Sequence, residues 1–222
     1  MMPSRNLLLA APLLALLSSS CGSSPQKLVL EVRKGETYSI VELGRHLAAR
    51  EADELPFTKA EHGAIELLRE IATSDPGVVN RMRAIAALAS CGKIDNTNVF
   101  VAGLTSKYWG VRWESAKALS ARPDPKAVPA LVKILQKEKE RIILLDVVEA
   151  LSRIGDEGSL KALFAVFFDR TPRHTDNRMK AHAAICRLTE KNYGFNDVDE
   201  WVKYARAKFS PAGGEGPSGG EE

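Results

Sequence analysis

Apolar and polar positions along this chain follow the helical period, and the pattern recurs. The 11-mer Asn80-Arg-Met-Arg-Ala-Ile-Ala-Ala-Leu-Ala-Ser returns 97 residues later as Asn177-Arg-Met-Lys-Ala-His-Ala-Ala-Ile-Cys-Arg. Between them lie Val111-Arg-Trp-Glu-Ser-Ala-Lys-Ala-Leu and Ile143-Leu-Leu-Asp-Val-Val-Glu-Ala-Leu. Leu88, Leu119, Leu151 and Ile185 therefore share one register, at spacings of 31, 32 and 34. A period in this range predicts helical hairpins stacked in a row, because no single hairpin can cover its own apolar face.

Each recurring segment has a helical partner before it, joined by a short polar or Pro-bearing turn. Four hairpins are predicted: 60–74 with 78–91, 96–107 with 110–121, 127–138 with 141–154, and 159–169 with 177–189. Ser74-Asp75-Pro76-Gly77 would break the chain and cap the next helix. Leu131, Ile134 and Leu135 make one apolar stripe, and Leu160, Leu163, Phe164 and Phe167 another. The small residues Ala84, Ala87, Ser115, Ala118 and Ala150 would let second helices approach closely. After the last hairpin, Val198, Trp201, Ala205 and Phe209 line one face of a further helix, with Asn196 or Asp197 as its cap. That helix would cover the open end of the fourth repeat.

These residues resemble the HEAT repeat in its short bacterial form, also found in phycobilin-lyase-like proteins. The second helix of that motif reads V-R-x-x-A-x-x-A-L. Val111-Arg112 through Leu119 matches with Ser115 for the first Ala, Val79 to Leu88 matches with Arg81 displaced by one residue, and the third unit carries Leu144 in place of the Arg. Loss of that Arg implies a weaker hydrogen-bond ladder there. The segment Leu188-Thr189-Glu190-Lys191-Asn192-Tyr193-Gly194, followed by Trp201, looks like the ending of many bacterial surface HEAT proteins. Those proteins read L-T-G-x-x-[FY]-G, so Glu190 stands where they have Gly. The resemblance implies an all-α fold, a short right-handed α-solenoid of about four hairpins with a C-terminal capping helix. It specifies architecture and not activity.

Outside the repeats the pattern changes. Arg5, the 11-residue apolar stretch Leu7 to Leu17 and the small residues Ser18-Ser19-Ser20 before Cys21 read as an export leader over 1–21. Such a stretch spans ~16 Å as a helix, about half a hydrocarbon core, and cannot cross a membrane. Small residues ending in Cys resemble the lipobox of bacterial lipoproteins, with Ser18 where that family prefers Leu. The resemblance implies acylation at Cys21 and a membrane-anchored, exported protein; ordinary cleavage leaving a free thiol is the alternative. Over 22–59, Leu28, Leu30 and Val32 alternate as a short strand would, whereas Ile40, Val41, Leu43, Leu47 and Ala48 fit a helix face. A tether with one short helix is the expectation. The repeats occupy 60–195 and the cap 196–209. The last segment, 210–222, has five glycines, two prolines and no large apolar side chain, and is expected to be disordered.

Composition narrows the function. At 45% hydrophobic and 27% charged over 222 residues, the chain is that of a globular protein. Thirty-one Lys and Arg against 28 Asp and Glu leave +3, or +2 without the leader. Neither the basic surplus of a nucleic-acid binder nor a focused acidic cluster is present. Three cysteines make no disulfide framework. Cys91 and Cys186 would lie three stacking intervals of ~10 Å apart, too far for a bond, and are expected to be small buried residues.

Phosphate loops, Gly-x-Ser-x-Gly elbows, His-Glu-x-x-His and Cys-x-x-Cys are missing, so no enzyme class, cofactor or metal is expected. His182 occupies the core-facing place of Ile85 and reads as a packed or edge histidine. His174 with Asp169 and Asp176 could in principle hold a metal, but reads as a polar loop. Trp109 is expected to pack between repeats. Trp113 falls on the non-core face, where Arg83, Glu114, Lys117, Asp146, Glu149 and Lys180 would join it in a concave, mixed-charge groove suited to a protein partner. The expected function is a lipid-anchored, non-enzymatic scaffold. Two alternatives are a cofactor- or chromophore-handling protein of the phycobilin-lyase-like kind and a HEAT-type nucleic-acid binder using Trp113 and Arg83.

Overall fold

A computed structural model describes residues 23–171 and 175–210; the leader with Cys21, His174 and the segment 211–222 lie outside the described residues. The described residues form eleven α-helices and one 3-10 turn, with no strand. In order these are α1 (Pro25–Arg33), α2 (Tyr38–Ala52), α3 (Lys59–Ser74), α4 (Val78–Ala89), α5 (Thr97–Gly103), α6 (Trp109–Ala121), the 3-10 turn (Pro125–Ala127), α7 (Val128–Leu135), α8 (Arg141–Ile154), α9 (Glu157–Phe168), α10 (Thr175–Thr189) and α11 (Val198–Phe209).

Even-numbered helices from α2 to α10 stack side by side as an inner layer, each packing on the next. The odd-numbered helices form the outer layer, α1 against α3, α3 against α5 and α7 against α9. Leu88, Leu119, Leu151 and Ile185 are all fully buried between the layers. Each buried aliphatic side chain of this kind contributes about 1.5–3 kcal/mol, so burial repeated along the row is what holds the array together.

The expected tether is instead a full hairpin. Ser24 accepts the Lys27 N–H and Pro25 occupies the first turn, so the chain turns helical at once. Leu28 and Val32, which also read as alternate strand positions, are one helical turn apart, and Leu28 is buried against the core. Helix α2 extends the inner layer by packing on α4. Gly44 allows it, since a Cβ there would lie 2.7 Å from the Ala87 Cβ. Five hairpins therefore stack, not four.

Arginines tie three of the five hairpin turns. Arg81 donates to Ala72 O at 3.1 Å, Arg112 to Ser106 O at 3.0 Å and Arg178 to Phe167 O at 2.9 Å, each satisfying a carbonyl at or just beyond the end of its outer helix. The α7–α8 hairpin has buried Leu144 at this place. There the tie comes from its neighbour: Arg112 Nε donates to Glu138 Oε2 at 2.6 Å, and Glu138 Oε1 accepts the Lys139 and Glu140 N–H groups. Burial alone would raise the Glu138 carboxyl, but these hydrogen bonds hold it below its ordinary value.

Two expected caps do something else. Asp75 accepts the Gly77 N–H at 2.6 Å, closing the turn before α4 without capping it. Asp197 stands at the start of α11, but its carboxylate accepts the Gly194 N–H at 2.7 Å. Helix α11 packs on α9 and covers the end of the row. Trp201 is fully buried there, with Phe164, Phe167, His182 and Tyr193 around it at centroid distances of 4.9–6.3 Å.

Candidate interaction face

The outward side of the inner layer carries the residues singled out by the repeat pattern. Helices α6, α8 and α10 bring six of them into one chain of contacts and charge interactions. Trp113 Nε1 donates to Asp146 Oδ2 at 3.1 Å, joining α6 to α8. Lys117 stands 5.4 Å from the Trp113 ring centroid and pairs with Glu114 at 3.2 Å. Glu149 accepts from Arg153 at 2.8 Å and pairs with Lys180 of α10 at 3.1 Å. Glu114 is nearly buried beneath Lys117, so it supports the row more than it faces solvent. Arg83 stays outside this chain and donates to Thr37 Oγ1 at 2.8 Å, tying α4 to the turn before α2.

The carboxylates in the row titrate in opposite directions. Burial pushes Asp146 above its ordinary value, against the pull of the Trp113 indole, Lys180 and Lys117. Glu149 is held below its ordinary value by the Arg153 hydrogen bond, which outweighs its burial. Beyond Glu149 a cavity of about 650 Å³ continues between α8 and α10, with Arg153, Lys180 and Arg187 on its walls. Arg187 is itself held by Ser152, donating to its carbonyl and, at 2.9 Å, to its hydroxyl.

Beside this charged row runs an apolar one that was not foreseen. Tyr38, Val79, Trp109, Ile142 and Met179 are 47–60% exposed, one on each inner helix. Half-buried Met82, Trp113 and Leu145 continue it inward, each six positions before Leu88, Leu119 and Leu151. Met179 holds the same place before Ile185, and Val79 and Ile142 lie a further three residues back, on the same helix face. Trp109 therefore does not pack between repeats. It is more than half exposed and stacks on Trp113 with ring centroids 6.2 Å apart. The signal was present in the sequence as large apolar residues in equivalent register, but the same residues read equally well as core.

The remaining candidates are structural. His182 lies half-buried, with Nε2 3.0 Å from Tyr193 O and an aromatic ring on three sides. Cys91 and Cys186 are free thiols. Cys91 is buried, but Cys186 is only half-buried, with its Sγ 3.5 Å from His182 Nε2. Burial raises both thiols above their ordinary value, which disfavours the thiolate. Among the described residues no group of three His, Cys, Asp or Glu side chains could hold a metal ion, and no helix is long and apolar enough to cross a membrane.

A family profile described as HEAT repeats matches residues 65–152 and again, about one hairpin further on, residues 97–185. The two windows together span residues 65–185, more than half of the chain. No curated protein matches the chain.

Proposed function

The chain belongs to the HEAT-repeat family, and from that premise we propose that it is a non-enzymatic scaffold binding a protein partner across its inner-layer face. The reading rests on one observation: the exposed apolar row Val79, Trp109, Ile142 and Met179 flanks the charged row of Lys117, Asp146, Glu149 and Lys180. Large apolar side chains left in water along one face mark an interface, and a Trp beside satisfied charges is the composition of an anchor with a polar rim. The proposal keeps Cys21 as the acylated residue of an exported, membrane-anchored protein, supported by the leader pattern of residues 1–21.

The test is site-specific photocrosslinking from position 109 in the native membrane, repeated with a probe at Ala165 on the outer layer. A discrete adduct from position 109, absent from 165 and lost in Ile142→Asp, supports the face. Equal adducts from both positions overturn it. Labelling with an alkyne fatty acid, lost in Cys21→Ala, tests the anchor separately.

A further inference from the structure

The outer layer has a gap. Where α3 has 16 residues and α9 has 12, α5 has only seven and α7 eight. Helix α5 packs on α3 and on the 3-10 turn, while α7 turns toward α8 and α9. Between α5 and α7 this leaves a cavity of about 520 Å³. Val101, Leu104, Ala130 and Ile134 line its floor, with Leu104 and Ile134 buried.

The rim is cationic. Lys133, near the end of α7, and Lys137, in the turn that follows it, both line the cavity, exposed, and neither has an ion pair or side-chain hydrogen bond among the described residues. The cavity's one acidic residue, Glu138, is already engaged: Arg112 binds both its oxygens, at 2.6 and 3.1 Å, and two backbone N–H groups complete it. Two free ammonium groups thus stand over an apolar floor with no carboxylate left to neutralise them.

We propose that this cavity binds a single-chain anionic amphiphile, a long-chain carboxylate, with its head between Lys133 and Lys137 and its hydrocarbon on Val101, Leu104, Ala130 and Ile134. Three features select this occupant. Two lysines four residues apart at the cavity's edge bracket one head group and not an extended charged surface. The volume falls in the range of small-molecule sites and is far below what a protein interface occupies. Four aliphatic side chains line the floor, and the polar ones beside them are already engaged, Thr105 donating to Ala102 O and Arg112 to Glu138, which fits a hydrocarbon chain and not a sugar or a nucleotide.

The full chain would be titrated with cis-parinarate, followed by its fluorescence, and then competed with decanoate and with decanol. Saturable binding below the critical micelle concentration is expected, with decanol competing at least tenfold more weakly than decanoate. Lys133→Gln with Lys137→Gln should weaken binding at least tenfold, as should Ala130→Phe, which fills the floor. If Ala130→Phe does not fold by circular dichroism, the surface Lys pair carries the test alone. Unchanged affinity in the folded double Lys variant overturns the proposal. So does binding only to anionic vesicles, or only to an acidic amphipathic peptide. Trp109→Ser should leave parinarate binding unchanged, which separates this site from the inner-layer face.

Discussion

The Trp113 indole donates to the Asp146 carboxylate at 3.1 Å across the boundary between the inner helices α6 and α8. One hydrogen bond thereby joins two repeats and fixes the ring that Trp109 stacks on. Because Asp146 is partly removed from water, its carboxylate relies on that donor. Trp113→Phe keeps most of the packing and deletes the N–H. We expect a loss of ~1–2 kcal/mol in urea unfolding, and a further rise in the Asp146 pKa followed by NMR. A double-mutant cycle with Asp146→Asn should return a coupling of at least ~0.5 kcal/mol.

Glu61 links the first two hairpins. Its carboxylate accepts from the Thr58 N–H at 2.6 Å and lies 2.8 Å from His46 Nε2, with Arg50 at 3.5 Å. Burial would raise its pKa, but the Thr58 hydrogen bonds, His46 and Arg50 outweigh it and leave the folded value below the unfolded one. The stability this supplies is present above the ordinary glutamate range and is lost as pH falls through the folded value. Glu61→Gln should cost ~1–3 kcal/mol at pH 7, with the gap from the parent closing as the pH falls below that range. A gap independent of pH would contradict the assignment. Asp146 runs the other way: its folded value is raised, so its contribution is greatest at low pH and is lost as pH rises through that value.

Gly44 reports whether the first hairpin belongs to the stack. A Cβ at that position would sit 2.7 Å from the Ala87 Cβ, and the atoms it meets are the backbone and Cβ of a core alanine that cannot swing aside. Gly44→Val should cost ~1–3 kcal/mol and should expose the α2 amides to hydrogen exchange before those of α6 and α8. Unchanged exchange in α2 would mean that the hairpin is not held by this contact.

Glu190 adopts φ 55, in the left-handed region where side chains other than Gly and Asn are strained. It is also the position at which the resembling bacterial sequences carry Gly. Glu190→Gly relieves a cost of about 1–2 kcal/mol and gives back part of it as unfolded-state entropy. A net gain of a few tenths to ~1 kcal/mol in chemical denaturation is expected, and a loss would show that the turn is not strained.

Trp201 closes the end of the row. It is fully buried, its indole N–H donates to Gly194 O at 3.2 Å, and it touches α9 and α10 side chains. Trp201→Ala should cost ~3–5 kcal/mol and uncover Phe164 and Phe167, so that the variant binds a hydrophobic dye and self-associates.

The repeats were legible because Leu88, Leu119, Leu151 and Ile185 recur with local helical stripes around them, and every one of those positions is core. The first hairpin was not, because three alternating apolar residues in a nine-residue helix satisfy two periods at once. The missing arginine of the third unit was visible as Leu144, but its replacement by Arg112 from the preceding hairpin was not, since Glu138 lies 26 residues away in the chain.

By itself, then, the sequence determined the helical class, the period and the aliphatic positions that meet between the two layers, because those follow from local periodicity and from which side chains leave water. Which of the remaining large side chains stay in solvent was decided only by stacking. Trp109, Ile142 and Met179 have the same composition as core residues, and they became a row because the rotation from one hairpin to the next turns equivalent helix faces outward together. The gap beneath Lys133 and Lys137 has the same origin: two short outer helices leave space between them, and only their placement makes that space a cavity.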